Sequence, residues 1–330
     1  MIELKHIDKY YNIGTVNEVC LFKDFNLTVD DGDFISVIGS NGSGKTSMLN
    51  LICGSLEAEA GNIILNGEDI SQQKEYIRQR KIGRVYQNPA MGTAPSMTVF
   101  ENLSMADNKG KRFGFTLGLN KKRKEYYRSL LKELDLGIED QMDTEVGSLS
   151  GGQRQCLALI MATLNKPQVL LLDEHTAALD PKTSKIIMDK TREIVEKNNI
   201  STLMITHNLQ DAINYGNRLI MLHEGEILID VRGDEKKNLT SEKLLRIFNK
   251  KEAGLKDKIY VVGLGGSKEG LAAIKDGLID GTTYMSAVEE GAKTIEAAGK
   301  LLRGEKLEPV TPMIQVEVNK ENVDNFKGEW

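Results

Sequence analysis

Gly39-Ser40-Asn41-Gly42-Ser43-Gly44-Lys45-Thr46 follows the apolar run Phe34-Ile35-Ser36-Val37-Ile38 and precedes Ser47-Met48-Leu49-Asn50-Leu51-Ile52. The first run reads as a strand and the last as a helix, so the glycine-rich stretch is the turn between them. That context separates a phosphate-binding G-x-x-x-x-G-K-[ST] loop from a fortuitous cluster of glycines. Glycines let successive backbone N–H groups turn inward at a helix N-terminus, where the dipole favours an anion. Gly39, Ser40, Asn41, Gly42, Ser43, Gly44, Lys45, Thr46 and Ser47 are therefore expected to bind nucleotide phosphates. Lys45 should reach the β- and γ-phosphates, and the Thr46 hydroxyl should bind Mg2+. Alone, this loop implies an α/β fold and a nucleoside triphosphate, and no particular task.

Downstream, Val169-Leu170-Leu171-Leu172-Asp173-Glu174 is an apolar run ending in two carboxylates, suited to a strand buried on both faces of a parallel sheet. Adjacent acids after such a run more often mark a solvated strand end. Their order after a phosphate loop favours a division of labour: Asp173 on Mg2+, directly or through water, and Glu174 on the attacking water. Between loop and acids lies Leu149-Ser150-Gly151-Gly152-Gln153-Arg154-Gln155, ahead of a helical stretch from Gln153 to Leu164. The Ser150 hydroxyl and the N–H groups of Gly151 and Gly152 then form an anion site at a helix start.

This serine-glycine-glycine-glutamine run, placed between the phosphate loop and the paired acids, resembles the signature of the ATP-binding cassette (ABC) ATPases. The resemblance implies a P-loop NTPase fold, a mixed-sheet core plus a helical subdomain, and two copies closing around two ATP molecules. Ser150, Gly151, Gly152 and Gln153 of one copy would bind the γ-phosphate held by the other. Gln87, in Val85-Tyr86-Gln87-Asn88-Pro89, resembles the glutamine that touches Mg2+ and water and links the core to the helical subdomain. Asp180, in Ala178-Leu179-Asp180-Pro181, resembles the acid that crosses the dimer interface. His207, after Leu203-Met204-Ile205-Thr206, resembles the switch histidine on the γ-phosphate, although a lone histidine there is more often structural. Tyr11 is similar to the aromatic that stacks on adenine, with Tyr10 as the neighbouring alternative.

Residues 1–250 as a whole resemble the ATPase subunit of bacterial ABC importers, in a subgroup known as uncharacterised transport systems. Gly92-Thr93-Ala94-Pro95-Ser96-Met97-Thr98, Glu101-Asn102-Leu103, His175-Thr176-Ala177-Ala178 and Tyr215-Gly216-Asn217-Arg218-Leu219 carry that likeness. It implies ATP hydrolysis that energises uptake of a small solute through a separate integral-membrane permease, with an extracytoplasmic solute-binding protein as an indirect partner. An exporter or lipoprotein-release ATPase, and a soluble ABC ATPase, are the alternatives. Composition agrees. The net charge of −5 comes without a basic block suited to nucleic acid. Lys109–Arg112 and Lys121–Lys124 are short basic clusters, read as solvated helix ends or as contacts to lipid head groups. Cys20, Cys53 and Cys156 lack metal-ligand spacing, which suits a reducing compartment. No apolar run approaches the roughly 18 residues that span a bilayer, and Met1-Ile2-Glu3-Leu4 starts as a strand, not as a signal peptide. A cytoplasmic protein, peripheral on the inner face of the membrane, is expected.

The helical subdomain is expected at about 88–165, including a helix from Lys121 to Leu136, and a closing helix at 238–249. Residues 251–257 read as a linker and 258–330 as a βαβαβ unit. Its strands are expected at Ile259–Gly263, Ile279–Tyr284 and Met313–Val318, and its helices at Lys268–Asp276 and Glu289–Leu302. This unit resembles the C-terminal part of a ribose-type periplasmic binding protein. Right-handed crossovers would put both helices on one face of three parallel strands and leave the other face bare. Gly265 and Met285 stand where such receptors carry polar ligand contacts, so inherited sugar binding is not expected. A vestigial or docking segment is the leading reading; a regulatory domain and a junction of neighbouring genes are the alternatives.

Overall fold

The computed structural model describes residues 1–111, 121–252, 262–264, 268–275, 281–284, 316–319 and 321–325, together with Lys300 and Arg303. β1 (Ile2–Tyr11) and β2 (Val19–Val29) pair antiparallel, and the chain then enters β3 (Phe34–Gly39) and α1 (Lys45–Cys53). β4 (Ala60–Leu65) returns to β1, and the short β5 (Glu68–Asp69) to β4, giving an antiparallel sheet of order β2-β1-β4-β5. After α2 (Glu75–Arg78) and β6 (Ile82–Val85) come the helices α3 (Val99–Asp107), α4 (Lys124–Lys132) and α5 (Gly151–Thr163). Strand and helix then alternate through β7 (Val169–Asp173), α6 (Pro181–Asn198), β8 (Ser201–Ile205), α7 (Leu209–Asn214) and β9 (Arg218–His223). β10 (Glu226–Arg232) and α8 (Gly233–Lys237) follow.

The second sheet has the order β10-β9-β3-β8-β7-β6 and is parallel except at its β10 edge. β7 is buried at every position. Val169 and Leu171 join a core with Ile2, Leu4, Met48 and Ile52, while Leu170 and Leu172 pack with Met188 and Met204. Two covered faces leave no polar position before the terminal Asp173, which is why residues 169–172 read as uninterrupted apolar sequence. Leu103, Tyr127, Leu131 and Leu157 make a further cluster that holds α3, α4 and α5 together. The helix expected from Lys121 to Leu136 begins as a 3-10 turn, and α4 stops at Lys132 before Asp135 and Gly137 turn to positive φ. The basic clusters flanking this region carry ion pairs, Lys111 and Arg123 with Asp107 and Lys124 with Asp143, so they are not simply solvated ends.

Parallel order places the carboxyl ends of β3, β6, β7 and β8 at one edge. Val37 and Asp173 both stand in register with Ile205, and Val85 with Leu172. The phosphate loop, Tyr86-Gln87, Glu174 and Thr206-His207 therefore leave the sheet side by side, at the edge where open α/β sheets hold ligands.

By contacts the chain forms two compact units, Met1–Leu239 and Thr240–Trp330. The closing helix expected at 238–249 is α9 (Ser241–Glu252); it falls in the second unit and runs into the expected linker. Lys250, Lys251 and Glu252 are all good helix formers, which explains the extension. The second unit also holds β11 (Val262–Leu264), α10 (Lys268–Lys275), β12 (Gly281–Tyr284) and β13 (Val316–Asn319), in a sheet of order β11-β12-β13. β11 and β12 are parallel, as a crossover requires, but β13 is antiparallel to β12 with Thr282 opposite Val318. The expectation of three parallel strands is thereby corrected: an antiparallel partner needs no second crossover. Leu271, Ile274, Val318 and Val323 form a small core. Residues 259–261, Gly265, Met285, residues 313–315 and the helix expected over 289–302, save Lys300, lie outside the described residues.

Candidate active site

The loop's shape follows from its glycines. Gly44 has φ of +100°, and a Cβ there would lie 2.6 Å from the Phe22 ring, so both backbone and space demand glycine. The nearly buried Lys45 donates from Nζ to the carbonyls of Gly39 and Ser40 at 2.9 and 2.8 Å. Burial lowers its pKa against the opposing influence of Glu174 and Asp173. The Ser43 hydroxyl is buried without a hydrogen-bond partner within the protein, a donor suited to a phosphate oxygen. A cavity of about 410 Å3 opens over the loop, apolar at Val19 and Leu21 and polar at Asn41, Lys45, Thr46 and Glu174. Tyr11 lines it, its hydroxyl 3.0 Å from Ser47 Oγ. Tyr10 is not among the lining residues and stands opposite Cys20 across the β1–β2 pair.

Glu174 takes a left-handed φ of +47°, a conformation costing about 1–3 kcal/mol for a residue with a Cβ. The turn brings its carboxylate between two partners: Gln87 Nε2 donates to Oε2 at 3.2 Å, and His207 Nε2 lies 2.7 Å from Oε1. A second cavity, about 400 Å3, meets Glu174 and His207 and extends to Asn208 and Asp211. Burial raises the Asp211 pKa.

Thr46 Oγ1 donates to Asp173 Oδ1 at 3.4 Å, so two side-chain oxygens stand together as a hard cation requires. Among the described residues no cluster of three or more His, Cys, Asp or Glu could hold a metal unaided. Mg2+ commonly combines one or two protein oxygens with substrate phosphates and water. The donor set therefore fits Mg2+ arriving with a nucleotide, not a dedicated cage.

The signature residues are built into the start of α5. Ser150 is its N-cap: its Oγ accepts from Gln153 N at 3.2 Å, and Gln153 Oε1 accepts from Ser150 N at 3.0 Å. Gln153 Nε2 also donates to the Leu136 carbonyl at 3.0 Å. The Gln153 side chain thus braces the start of its own helix. A Cβ on Gly152 would sit 2.5 Å from Thr183 Cγ2, so α6 needs glycine there. Asp180 is the N-cap of α6, accepting from Thr183 N at 3.0 Å, and these hydrogen bonds to Thr183 lower its pKa. The residues lining the phosphate-loop cavity include none of Ser150, Gly151, Gly152, Gln153 and Asp180.

Sequence reasoning missed three residues here. Arg84 Nη2 donates to Asp173 Oδ2 at 3.2 Å, and its only advance signal was a cation inside a short apolar strand. The buried Gln155 donates to the Tyr86 carbonyl at 3.1 Å and ties α5 to the Gln87 segment. His175, just past Glu174, is buried with Nε2 3.2 Å from the Thr191 hydroxyl, and burial pushes its pKa down to about 4.

A sequence profile of the family described as ABC transporter matches residues 22–177. The tyrosine transport ATP-binding protein of Clostridioides difficile (strain R20291) is 46% identical over 248 residues, 75% of this chain and 98% of that protein. The spermidine/putrescine import ATP-binding protein PotA of Haemophilus influenzae is 35% identical over 232 residues, 70% of this chain and 57% of that protein. A dimeric ATP-binding cassette solved in a post-hydrolysis state with ADP and Pi shares 29% identity at a TM-score of 0.62, over 70% of this chain and 98% of its own. With a relative matched over nearly its whole length and this site at the strand ends, the chain belongs to the ABC transporter family as one of its ATP-hydrolysing subunits.

Proposed function

We propose that the chain energises solute import as one of two identical ATPase subunits beneath a separate integral-membrane permease. The observation that carries the chemistry is the Glu174 carboxylate held between Gln87 and His207 beside the phosphate loop. On binding ATP, Lys45 exchanges the Gly39 and Ser40 carbonyls for β- and γ-phosphate oxygens, trading neutral acceptors for charge-assisted bonds. The loop N–H groups and the Ser43 hydroxyl take further phosphate oxygens, and Tyr11 stacks on adenine at the apolar end of the cavity. Thr46, Asp173 and Gln87 would hold Mg2+, which neutralises phosphate charge when bound. Glu174 accepts a hydrogen bond from water and aims its oxygen at the γ-phosphorus; the bond to ADP breaks as the new one forms. With a partner on each oxygen the carboxylate cannot swing freely, so orientation is prepared in advance.

Ser150, Gly151, Gly152, Gln153 and Asp180 line no part of the cavity over their own phosphate loop, which favours a role toward ATP held by the second copy. The first-turn N–H groups of α5 would meet its γ-phosphate. Gln155 joins α5 to Tyr86, so displacement of the helical part by a permease reaches Gln87 and then Glu174. Among the described residues no helix is long and apolar enough to cross a membrane. A peripheral place on the cytoplasmic face, and a solute-binding protein acting through the permease, complete the reading. Relatives named for import favour uptake over export, and the tyrosine-transport relative makes amino acids the first solute class to test. Residues 258–330 are proposed as an accessory docking segment.

The test is light scattering with Glu174→Gln, with and without ATP, beside a hydrolysis assay. The expected result is an ATP-dependent dimer without turnover. Retained hydrolysis would remove Glu174 from its role, and a monomer with ATP bound would remove the two-copy arrangement.

A further inference from the structure

The Asp173 carboxylate is held from two sides. Its Oδ1 accepts from Thr46 at 3.4 Å and its Oδ2 from Arg84 Nη2 at 3.2 Å. The Arg84 and Asp173 side chains are only 9% and 11% exposed, so solvent does little to loosen or screen the pair. Arg84 is fixed twice more: Nη1 donates to Asn50 Oδ1 at 2.7 Å, and the guanidinium lies 4.6 Å from the Tyr86 ring centroid. A rigid planar donor therefore occupies one carboxylate oxygen and leaves the other facing the Thr46 hydroxyl.

We propose that Arg84 is a specificity-determining positioning residue: by engaging Asp173 Oδ2 it restricts the carboxylate to a one-oxygen contact with a divalent cation and so favours Mg2+ over Ca2+. This rests on Asp173 being the metal-binding carboxylate of the reading above. Mg2+ demands near-octahedral geometry at about 2.0–2.1 Å, whereas Ca2+ takes about six to eight oxygens at longer range and accepts bidentate carboxylates. A carboxylate with one oxygen committed to a buried guanidinium cannot clamp a cation with both. The positive charge of Arg84 repels either divalent ion alike, so it cancels in the ratio of their affinities and leaves the geometric effect.

The experiment follows Mn2+ held by the protein with a non-hydrolysable ATP analogue, by electron paramagnetic resonance, as Mg2+ or Ca2+ displaces it. Arg84→Met should lower the Mg2+-to-Ca2+ affinity ratio about tenfold, the scale on which partners of metal ligands act. Arg84→Lys, which keeps a donor for Oδ2 but loses the bond to Asn50 and the stacking on Tyr86, should restore only part of the ratio, and Asn50→Ala should lower it part-way. Equal shifts for both ions, or none, in Arg84→Met would overturn the proposal. Should that variant not fold, an unchanged ratio in Asn50→Ala overturns it instead. Asp173→Asn checks the site itself: Mn2+ held equally well without the carboxylate would sink the metal reading of Asp173, whereas a negative result confined to Arg84 leaves that reading standing.

Discussion

At the phosphate loop, Thr46 reaches Asp173, and Glu174 joins Gln87 to His207, all within one chain, whereas at the head of α5 the Ser150 and Gln153 side chains each accept from the other's backbone N–H, and Gln153 also donates to the Leu136 carbonyl. The first region is the candidate reaction centre, gathered within one chain because parallel strands deliver its segments to one edge. The second is a helix terminus stiffened by a capping box, in a first turn whose N–H groups attract negative charge. Rigidity without a ligand in the same chain is what a contribution to a neighbour's site requires.

The largest test breaks the two regions separately. Glu174→Gln and Ser150→Arg should each lower hydrolysis by about a thousandfold, the upper range for losing a group that acts on the nucleophile or the transition-state charge. Mixed together, the two inactive chains should regain activity, since one of the two composite sites then has both halves intact. No recovery on mixing would mean that each chain works alone, and the contrast between the regions would lose its meaning.

A second test concerns the support behind Glu174. His175 carries a pKa of about 4 because it is buried, against about 6.5 when unfolded. The unfolded chain binds a proton that the folded chain does not over this window, so stability is full above pH 6.5 and declines toward pH 4. The contribution is at most about 3 kcal/mol. Urea unfolding of His175→Gln should show a flatter pH dependence between those limits; an unchanged slope would assign the acid sensitivity elsewhere.

Tyr11→Ala sharpens the cis side. Losing an aromatic platform beneath a base costs about 1–3 kcal/mol, so nucleotide affinity should fall about tenfold while the maximal rate is nearly kept. An equal loss from Tyr10→Ala, at a residue outside the cavity lining, would show that the cavity lining is not what matters. The smallest effect belongs to the cap itself. Ser150→Ala removes the acceptor for Gln153 N and should cost about 1 kcal/mol, or about 2–4 °C in Tm for a unit of this size. A loss of hydrolysis far beyond that thermal shift would separate the ligand role of Ser150 from its capping role.

Some of this was legible in the amino-acid sequence, for particular reasons. The loop at Gly39–Thr46 announces itself because its backbone conformation excludes most side chains, and β7 because burial on both faces leaves apolar residues up to Leu172. Arg84 was not legible: its partners Asp173 and Asn50 lie far along the chain, and one cation in a strand carries no sign of what it meets. Nor was the direction of β13, because the alternation of a strand is the same whichever way it runs. The choice between Tyr10 and Tyr11 turned on the same period of two, which sends neighbours to opposite faces without saying which face holds the cavity.

The amino-acid order by itself determined the phosphate loop, the paired acids, the signature run and hence the family, because each depends on residues adjacent in the chain. Only the tertiary structure decided which side chains hold Glu174, which tyrosine lines the cavity, that Gln153 braces its own helix, and that Asp173 offers one oxygen while Arg84 takes the other. Those are distances between segments remote in sequence, and they exist only once sheet order and register bring the strand ends together.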